Sequence, residues 1–210
     1  MYRVKEIVHT LQGEGAQAGR AAVFCRFSGC NLWSGLEPDR SDATCQFCDT
    51  DFVGTDGPGG GVFDSAESLA AAVAARWRGL GPARPLVVLT GGEPLLQLDP
   101  PAIASLHDRG FEVAVETNGT IPAPPGIDWL CVSPKAGTVL RQSSGNELKV
   151  IVPQEGLDLT SLESLAFDHF FLQAMDGPRA AENVRLAVHT CLERPRWRLS
   201  LQAHKLLGLP

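Results

Sequence analysis

The sequence predicts an α/β domain whose strands form one mostly parallel sheet of about six strands, a partial TIM-like (β/α) barrel with reduced helices or, on the same pattern, an open doubly wound sheet. Three observations carry this. Short apolar runs alternate with helix-like stretches along most of the chain, the pattern of repeated strand–crossover units. Polar clusters follow directly after four of the runs: Thr90-Gly91-Gly92-Glu93, Glu116-Thr117-Asn118-Gly119, Ser133-Pro134-Lys135 and Gln173-Ala174-Met175-Asp176. Sites gather in that position, at the C-terminal ends of parallel strands. Finally, 210 residues are enough for one core but too few for the eight βα units of a complete barrel.

Arg3 to His9 and Ala21 to Phe27 read as strands, the second nearly continuous in apolar character. Gly54 to Gly61 reads as loop, because its glycines favour no single backbone state. Ser65 is a suitable N-cap for a helix through Arg78, since Ser65 and Ser68 bracket Glu67 ahead of an alanine-rich run. Pro85 to Leu89 reads as a buried strand that ends at Thr90-Gly91-Gly92. Asp99 or a neighbour starts a helix to about Arg109, stopped by Gly110. Strands follow at Phe111–Glu116, Asp128–Val132 and Glu147–Val152, then a short helix at Leu159–Leu165. A strand at Phe167–Leu172, a helix at Ala180–Leu192 and a last strand at Trp197–Leu201 complete the pattern.

With 44% hydrophobic and 20% charged residues, the composition is that of an ordinary globular protein. The formal net charge of −6 argues against a nucleic-acid surface. No apolar run approaches the roughly 20 residues needed to cross a bilayer. The N-terminus opens into strand-like sequence without a signal-peptide core, which predicts a cytoplasmic protein. In a reducing compartment, clustered thiols more often hold metal than form disulfides. Of the six cysteines, Cys25, Cys131 and Cys191 stand among apolar neighbours and read as core. Cys30, Cys45 and Cys48 form a C-x14-C-x2-C pattern. Three thiolates leave one position open. They suit a [4Fe–4S] cluster with one free iron, or a zinc site completed by His9 or another histidine.

A strand, then a three-cysteine loop ending C-x-F-C-D, then a strand ending Gly-Gly-Glu-Pro resembles the radical S-adenosylmethionine superfamily. The usual spacing there is C-x3-C-x2-C, and the expanded first interval is a departure. Together with Leu11-Gln12-Gly13-Glu14-Gly15, that interval resembles the 7-carboxy-7-deazaguanine synthase family of the queuosine pathway. So do the stretches CRFSGCNLW, CDTDFVGTDG, TGGEPLLQLD, ETNGT, VSPKAG, NELKV and WRLSLQAHKLLGLP. The long interval and the QGEG segment count against a glycyl-radical activase. The rim clusters and the GGEP element count against a zinc-stabilised binding module.

The resemblance implies one domain over residues 1–210, with an expanded cluster loop at about 28–62. It implies a lyase that converts 6-carboxy-5,6,7,8-tetrahydropterin to 7-carboxy-7-deazaguanine with loss of ammonia, through a 5′-deoxyadenosyl radical. A [4Fe–4S] cluster on Cys30, Cys45 and Cys48, S-adenosylmethionine and Mg²⁺ are the implied cofactors. Gly92 and Glu93 would hold the aminoacyl end of adenosylmethionine, Glu93 accepting from its ammonium; a plain strand-to-helix turn with Pro94 at its first position is the alternative. Glu116 and Asn118 would meet ribose or methionine atoms, although Asn118-Gly119 also suits a turn. Ser133, Pro134 and Lys135 would face the carboxylate or ribose, and Phe47 would pack on the base. Gln173, Ala174, Met175 and Asp176 would lie against adenine, with Asp176 alternatively a helix N-cap; the family often has proline where Ala174 stands. Gln12, Gly13 and Glu14 would meet the pyrimidine edge of the substrate, Arg26 its carboxylate and Thr90 its ring. His204, Lys205 and the terminal carboxylate of Pro210 would close the pocket. Thr50 would bind Mg²⁺ directly and Asp49 through water. A homodimer and an electron donor such as flavodoxin are the implied partners.

Overall fold

The computed structural model describes residues 1–209. Among them, nine strands form one sheet: β1 (Tyr2–Leu11), β2 (Ala21–Phe27), β3 (Gly61–Phe63), β4 (Leu86–Gly91), β5 (Glu112–Thr117), β6 (Trp129–Val132), β7 (Ser144–Val152), β8 (Ala166–Ala174) and β9 (Arg198–Ser200). Five α-helices accompany them: α1 (Ala66–Ala74), α2 (Pro100–His107), α3 (Leu159–Glu163), α4 (Ala180–Glu193) and α5 (Ala203–Leu207). The strand order is β3-β1-β2-β4-β5-β6-β7-β8-β9. From β2 to β9 every neighbour is parallel, whereas β1 runs antiparallel to both β2 and β3. The parallel part therefore has seven strands, one more than expected, and an antiparallel pair extends one edge. The barrel is partial, and no pairing between β3 and β9 closes it among the described residues.

Side-chain alternation divides each strand between two environments. Val23, Cys25, Val87, Leu89, Val113 and Val115 point to the outer layer, where Leu69, Ala70 and Val73 of α1 and Ile103 and Leu106 of α2 cover them. Fully burying an aliphatic side chain of this kind is worth about 1.5–3 kcal/mol. The inner face begins with a small apolar floor of Ala22, Leu86, Val88 and Ala114. Further along, the same face carries Arg26, four residues past Ala22, and Thr90 and Glu116, two past Val88 and Ala114. Arg26 is paired with Thr90, and Glu116 with Cys131, which is paired in turn with Glu147. One face thus changes from apolar to polar toward the C-terminal ends of the strands.

Local signals account for the helix starts. Ser65 caps α1 reciprocally with Ser68, and the Asp99 side chain caps α2 through the Ala102 N–H at 3.0 Å. Helix α1 stops at Ala74, short of the expected Arg78, and Trp77 packs edge-on against His9 and Phe111. Gly61 opens β3 where loop was expected, because Gly61, Val62 and Phe63 pair with Val4, Arg3 and Tyr2. No described helix is long and apolar enough to cross a membrane.

Candidate functional site

A cavity of about 380 Å³ opens at the C-terminal ends of the parallel strands, within the size range of small-molecule sites. Cys30, Cys45 and Cys48 share its wall, and all three are free thiols. Their loop is a folded unit. Leu32 O accepts from Thr44 N at 3.1 Å and Cys45 N at 3.3 Å, which brings the distant cysteines together. Arg40 lies 4.0 Å over the Trp33 ring and donates to the Gln46 and Cys48 carbonyls at 2.8 and 3.0 Å. Trp33 in turn stands edge-on to Phe52. The expanded cysteine spacing is therefore filled by a packed aromatic core and a 3-10 turn, Glu37–Asp42.

Burial pushes the Cys30 and Cys45 thiols above their usual range, and mutual repulsion among the three sulfurs adds to it. Thiols crowded in this way gain most from bound positive charge, so the donor set fits an iron–sulfur cluster. Among the described residues, no three His, Cys, Asp or Glu side chains converge closely enough to hold a single metal ion. His9, the candidate fourth zinc ligand, is off the cavity wall, its ring edge-on to Trp77 at 5.1 Å.

The glycine turn after β4 is shaped by the cysteine loop. Gly91 has φ +128°, a conformation that side chains disfavour. A Cβ on Gly92 would run into the Gly29 carbonyl. Glu93 stands off the cavity wall. It is 0% exposed, with Oε1 accepting from Leu95 N at 3.0 Å and Thr117 Oγ1 at 2.8 Å, and Oε2 from Asn118 N at 2.8 Å. Burial raises its carboxyl while those hydrogen bonds oppose the rise. Glu93 therefore ties the end of β4 to the end of β5 from behind the wall, with three of its roughly four acceptor sites taken by the protein. It also caps the 3-10 turn that Pro94 begins. Pro134 is likewise buried behind the wall, between Ser133 and Lys135, which do line it. Asn118 lines the wall and donates to Asn31 at 2.9 Å, anchoring the cysteine loop.

At the opposite end, Gln12, Gly13, Glu14, Arg26, Thr90 and His204 share the wall as expected. Glu116 joins this group and not the adenosyl side. Its Oε1 accepts from Gln12 Nε2 at 2.9 Å and its Oε2 from Thr90 Oγ1 at 3.4 Å. The Arg26 Nε donates to Glu6 at 2.8 Å, which fixes the guanidinium plane and leaves its terminal nitrogens without a partner among the described residues.

Among the wall residues that the sequence reading did not single out are Lys149 and Cys131. Lys149 is 4% exposed, ion-paired to Glu14 and 3.7 Å from Glu116 Oε1. Cys131, expected in the core, is buried but lines the cavity and donates to Glu147 at 3.4 Å. A charged residue within an apolar strand was the available signal for Lys149, the same one that singled out Arg26. By contrast, Cys25 is core as expected, its thiol pushed up to about 12 by burial.

Phe47, Asp49, Thr50, Gln173, Ala174, Met175 and Asp176 complete the mouth. Lys205 bridges Asp49 and Asp176, both at 2.5 Å, and its hydrogen bond holds the Asp176 carboxyl below the usual range. Asp176 does not cap α4, whose N-cap is Arg179. The C-terminal segment straps the opening: Ala203 N donates to Gly13 O at 3.0 Å and Gln202 to Glu14 at 3.2 Å. Pro210 lies outside the described residues.

No protein-family model matches the chain. A protein of Caulobacter vibrioides named 7-carboxy-7-deazaguanine synthase is 65% identical over 209 residues, covering 100% of this chain and 99% of its own. One of the same name from Bordetella pertussis is 60% identical over 209 residues, with 100% and 99% covered. The crystal structure of QueE from Escherichia coli superposes with a TM-score of 0.70 at 28% identity, covering 97% of this chain and 94% of that one.

Proposed function

Because the chain belongs to the 7-carboxy-7-deazaguanine synthase family, we propose that it is a Mg²⁺-dependent radical S-adenosylmethionine enzyme that turns 6-carboxy-5,6,7,8-tetrahydropterin into 7-carboxy-7-deazaguanine and ammonia. The product belongs to 7-deazapurine and queuosine biosynthesis. The observation that carries the reading is one cavity with two chemically distinct ends, three free thiols at one and a paired-carboxylate floor at the other.

When bound, the [4Fe–4S] cluster and S-adenosylmethionine supply the radical chemistry that the ring contraction needs. Cys30, Cys45 and Cys48 would hold the cluster. Gly91 and Gly92 bring backbone close to the cluster loop, and Asn118, Ser133 and Lys135 offer polar groups to the methionine and ribose. Gln173 to Asp176 form the wall for adenine, with Phe47 across the mouth from them. Gln12, Glu14, Glu116 and Thr90 present hydrogen-bonding groups to an aminopyrimidinone edge, and the free side of the Arg26 fork suits the substrate carboxylate. Thr50 offers Mg²⁺ a hydroxyl, while Asp49, held by Lys205, would reach it through water. A homodimer and a flavodoxin-like electron donor belong to the same reading.

The test is anaerobic. The protein is reconstituted with iron and sulfide, then incubated with reductant, adenosylmethionine, Mg²⁺ and carboxytetrahydropterin. Formation of 7-carboxy-7-deazaguanine is expected. Production of 5′-deoxyadenosine alone would keep the superfamily and reject the substrate, and failure to bind iron would reject both.

A further inference from the structure

We propose that Lys149 is a positioning residue that fixes Glu14 and Glu116 as the paired acceptors facing a substrate ring. Only the identity of that ring rests on the function proposed above. Lys149 stands on β7, Glu116 on β5 and Glu14 in the turn after β1, so three separated segments meet at one ammonium. Glu14 is 135 residues distant in sequence, and nothing local brings it there. A buried ammonium is tolerated only when opposite charge surrounds it.

The groups facing Lys149 are Glu14 from the β1 side, Glu116 from β5, Cys131 from β6, Glu147 on its own strand and Lys135 beyond β6; His204 of α5 faces Glu14. Burial opposes the charge on Lys149, but Glu116, Glu14, Cys131 and Glu147 hold its ammonium well above the ordinary range. Burial alone would raise Glu14, yet Lys149, Gln202 and His204 keep it below the usual carboxyl range.

Each carboxylate retains free acceptor capacity. Beyond Lys149, Glu14 takes one hydrogen bond, from Gln202 at 3.2 Å, and Glu116 takes two, from Gln12 at 2.9 Å and Thr90 at 3.4 Å, against about four lone-pair sites per ionised group. Two anionic acceptors side by side select a heterocycle that presents adjacent N–H donors, as an aminopyrimidinone edge does. A neutral side chain at position 149 would release both carboxylates and let Glu14 take up a proton, turning an acceptor into a donor.

The experiment compares wild type, Lys149→Met and Lys149→Arg. Glu14 is titrated by carbon-13 NMR of glutamate-labelled protein without ligand, and Glu14→Gln assigns its resonance. Loss of the Lys149 charge should move the Glu14 midpoint up by more than one pH unit, and Lys149→Arg should restore most of it. A midpoint within a few tenths of a unit of wild type in Lys149→Met would overturn the proposal. On the reconstituted enzyme, Lys149→Met should raise KM for carboxytetrahydropterin at least tenfold and shift the acid limb of kcat/KM upward. Unchanged KM and an unmoved limb in an active variant would also overturn it. If the Glu14 midpoint moves as stated while wild type binds no carboxytetrahydropterin, the positioning role stands and the substrate assignment falls. Should Lys149→Met fail to fold, Glu14→Gln alone is compared with Glu14→Gln plus Lys149→Met, which leaves no unpaired Glu14 charge. A further loss of affinity of at least threefold is expected through Glu116, and no further loss would count against the role.

Discussion

At the cysteine end of the cavity, the chain runs from β2 to β3 with a single 3-10 turn for regular structure. Its thiols are held by backbone turns and by the packing of Trp33, Arg40 and Phe52. At the ring end, Arg26, Thr90, Glu116 and Lys149 all stand on strands of one sheet, and Gln12 and Glu14 are tied to them side chain to side chain. The side chains proposed to recognise the organic ring are thus set by the sheet, in register. The end proposed to hold the cluster is a loop of free thiols, whose ligation would exchange their protons for bound positive charge.

The sharpest break of this comparison is at the thiols. Cys30→Ala, Cys45→Ala and Cys48→Ala should each abolish the visible absorbance of the reconstituted cluster and all turnover. A variant that keeps full activity would remove its cysteine from the ligand set. Between the two ends stands Glu93, whose loss should weaken the fold itself. Glu93→Ala orphans three donors, on Leu95, Thr117 and Asn118, which costs about 3 kcal/mol. Urea unfolding of the cluster-free protein measures it, and a loss under about 1 kcal/mol would show that β4 and β5 are not joined through this carboxylate. Thr50→Ala should act at the mouth alone, raising the Mg²⁺ concentration for half-maximal turnover by about tenfold with cluster absorbance unchanged. Identical Mg²⁺ activation in the variant would take Thr50 out of the ion's coordination.

What was legible in the sequence was what local chemistry decides. The apolar run Ala21–Phe27 is β2 to the residue, and Ser65 and Asp99 start their helices through their own side chains. The strand-end clusters arrived at one cavity because parallel strands bring their C-terminal ends together. The exceptions depended on distant partners. Gly61 reads as loop until β1 offers it an edge. Glu93 shows its tie to Thr117 and Asn118 only once the end of the next strand is in place. Lys149 and Cys131 sat within apolar strands, and neither shows its role until Glu14, Glu116 and Glu147 are placed around them. Spacing reveals which residues share a strand face, but not which carboxylate will cross the sheet to meet them.

The strap across the mouth has a consequence for biosynthesis. Gly15 N donates to Ser200 Oγ at 3.0 Å across 185 positions of sequence, and Ala203 reaches back to Gly13. Translation makes the first of these partners 185 residues before the second. While the chain is still being made, the cysteine loop, β1 and β2 have emerged but the wall that shuts off solvent has not. A cluster of the kind proposed above, inserted at that stage, would sit in the open, so its insertion is expected to follow synthesis of the segment from Ser200 to Ala203.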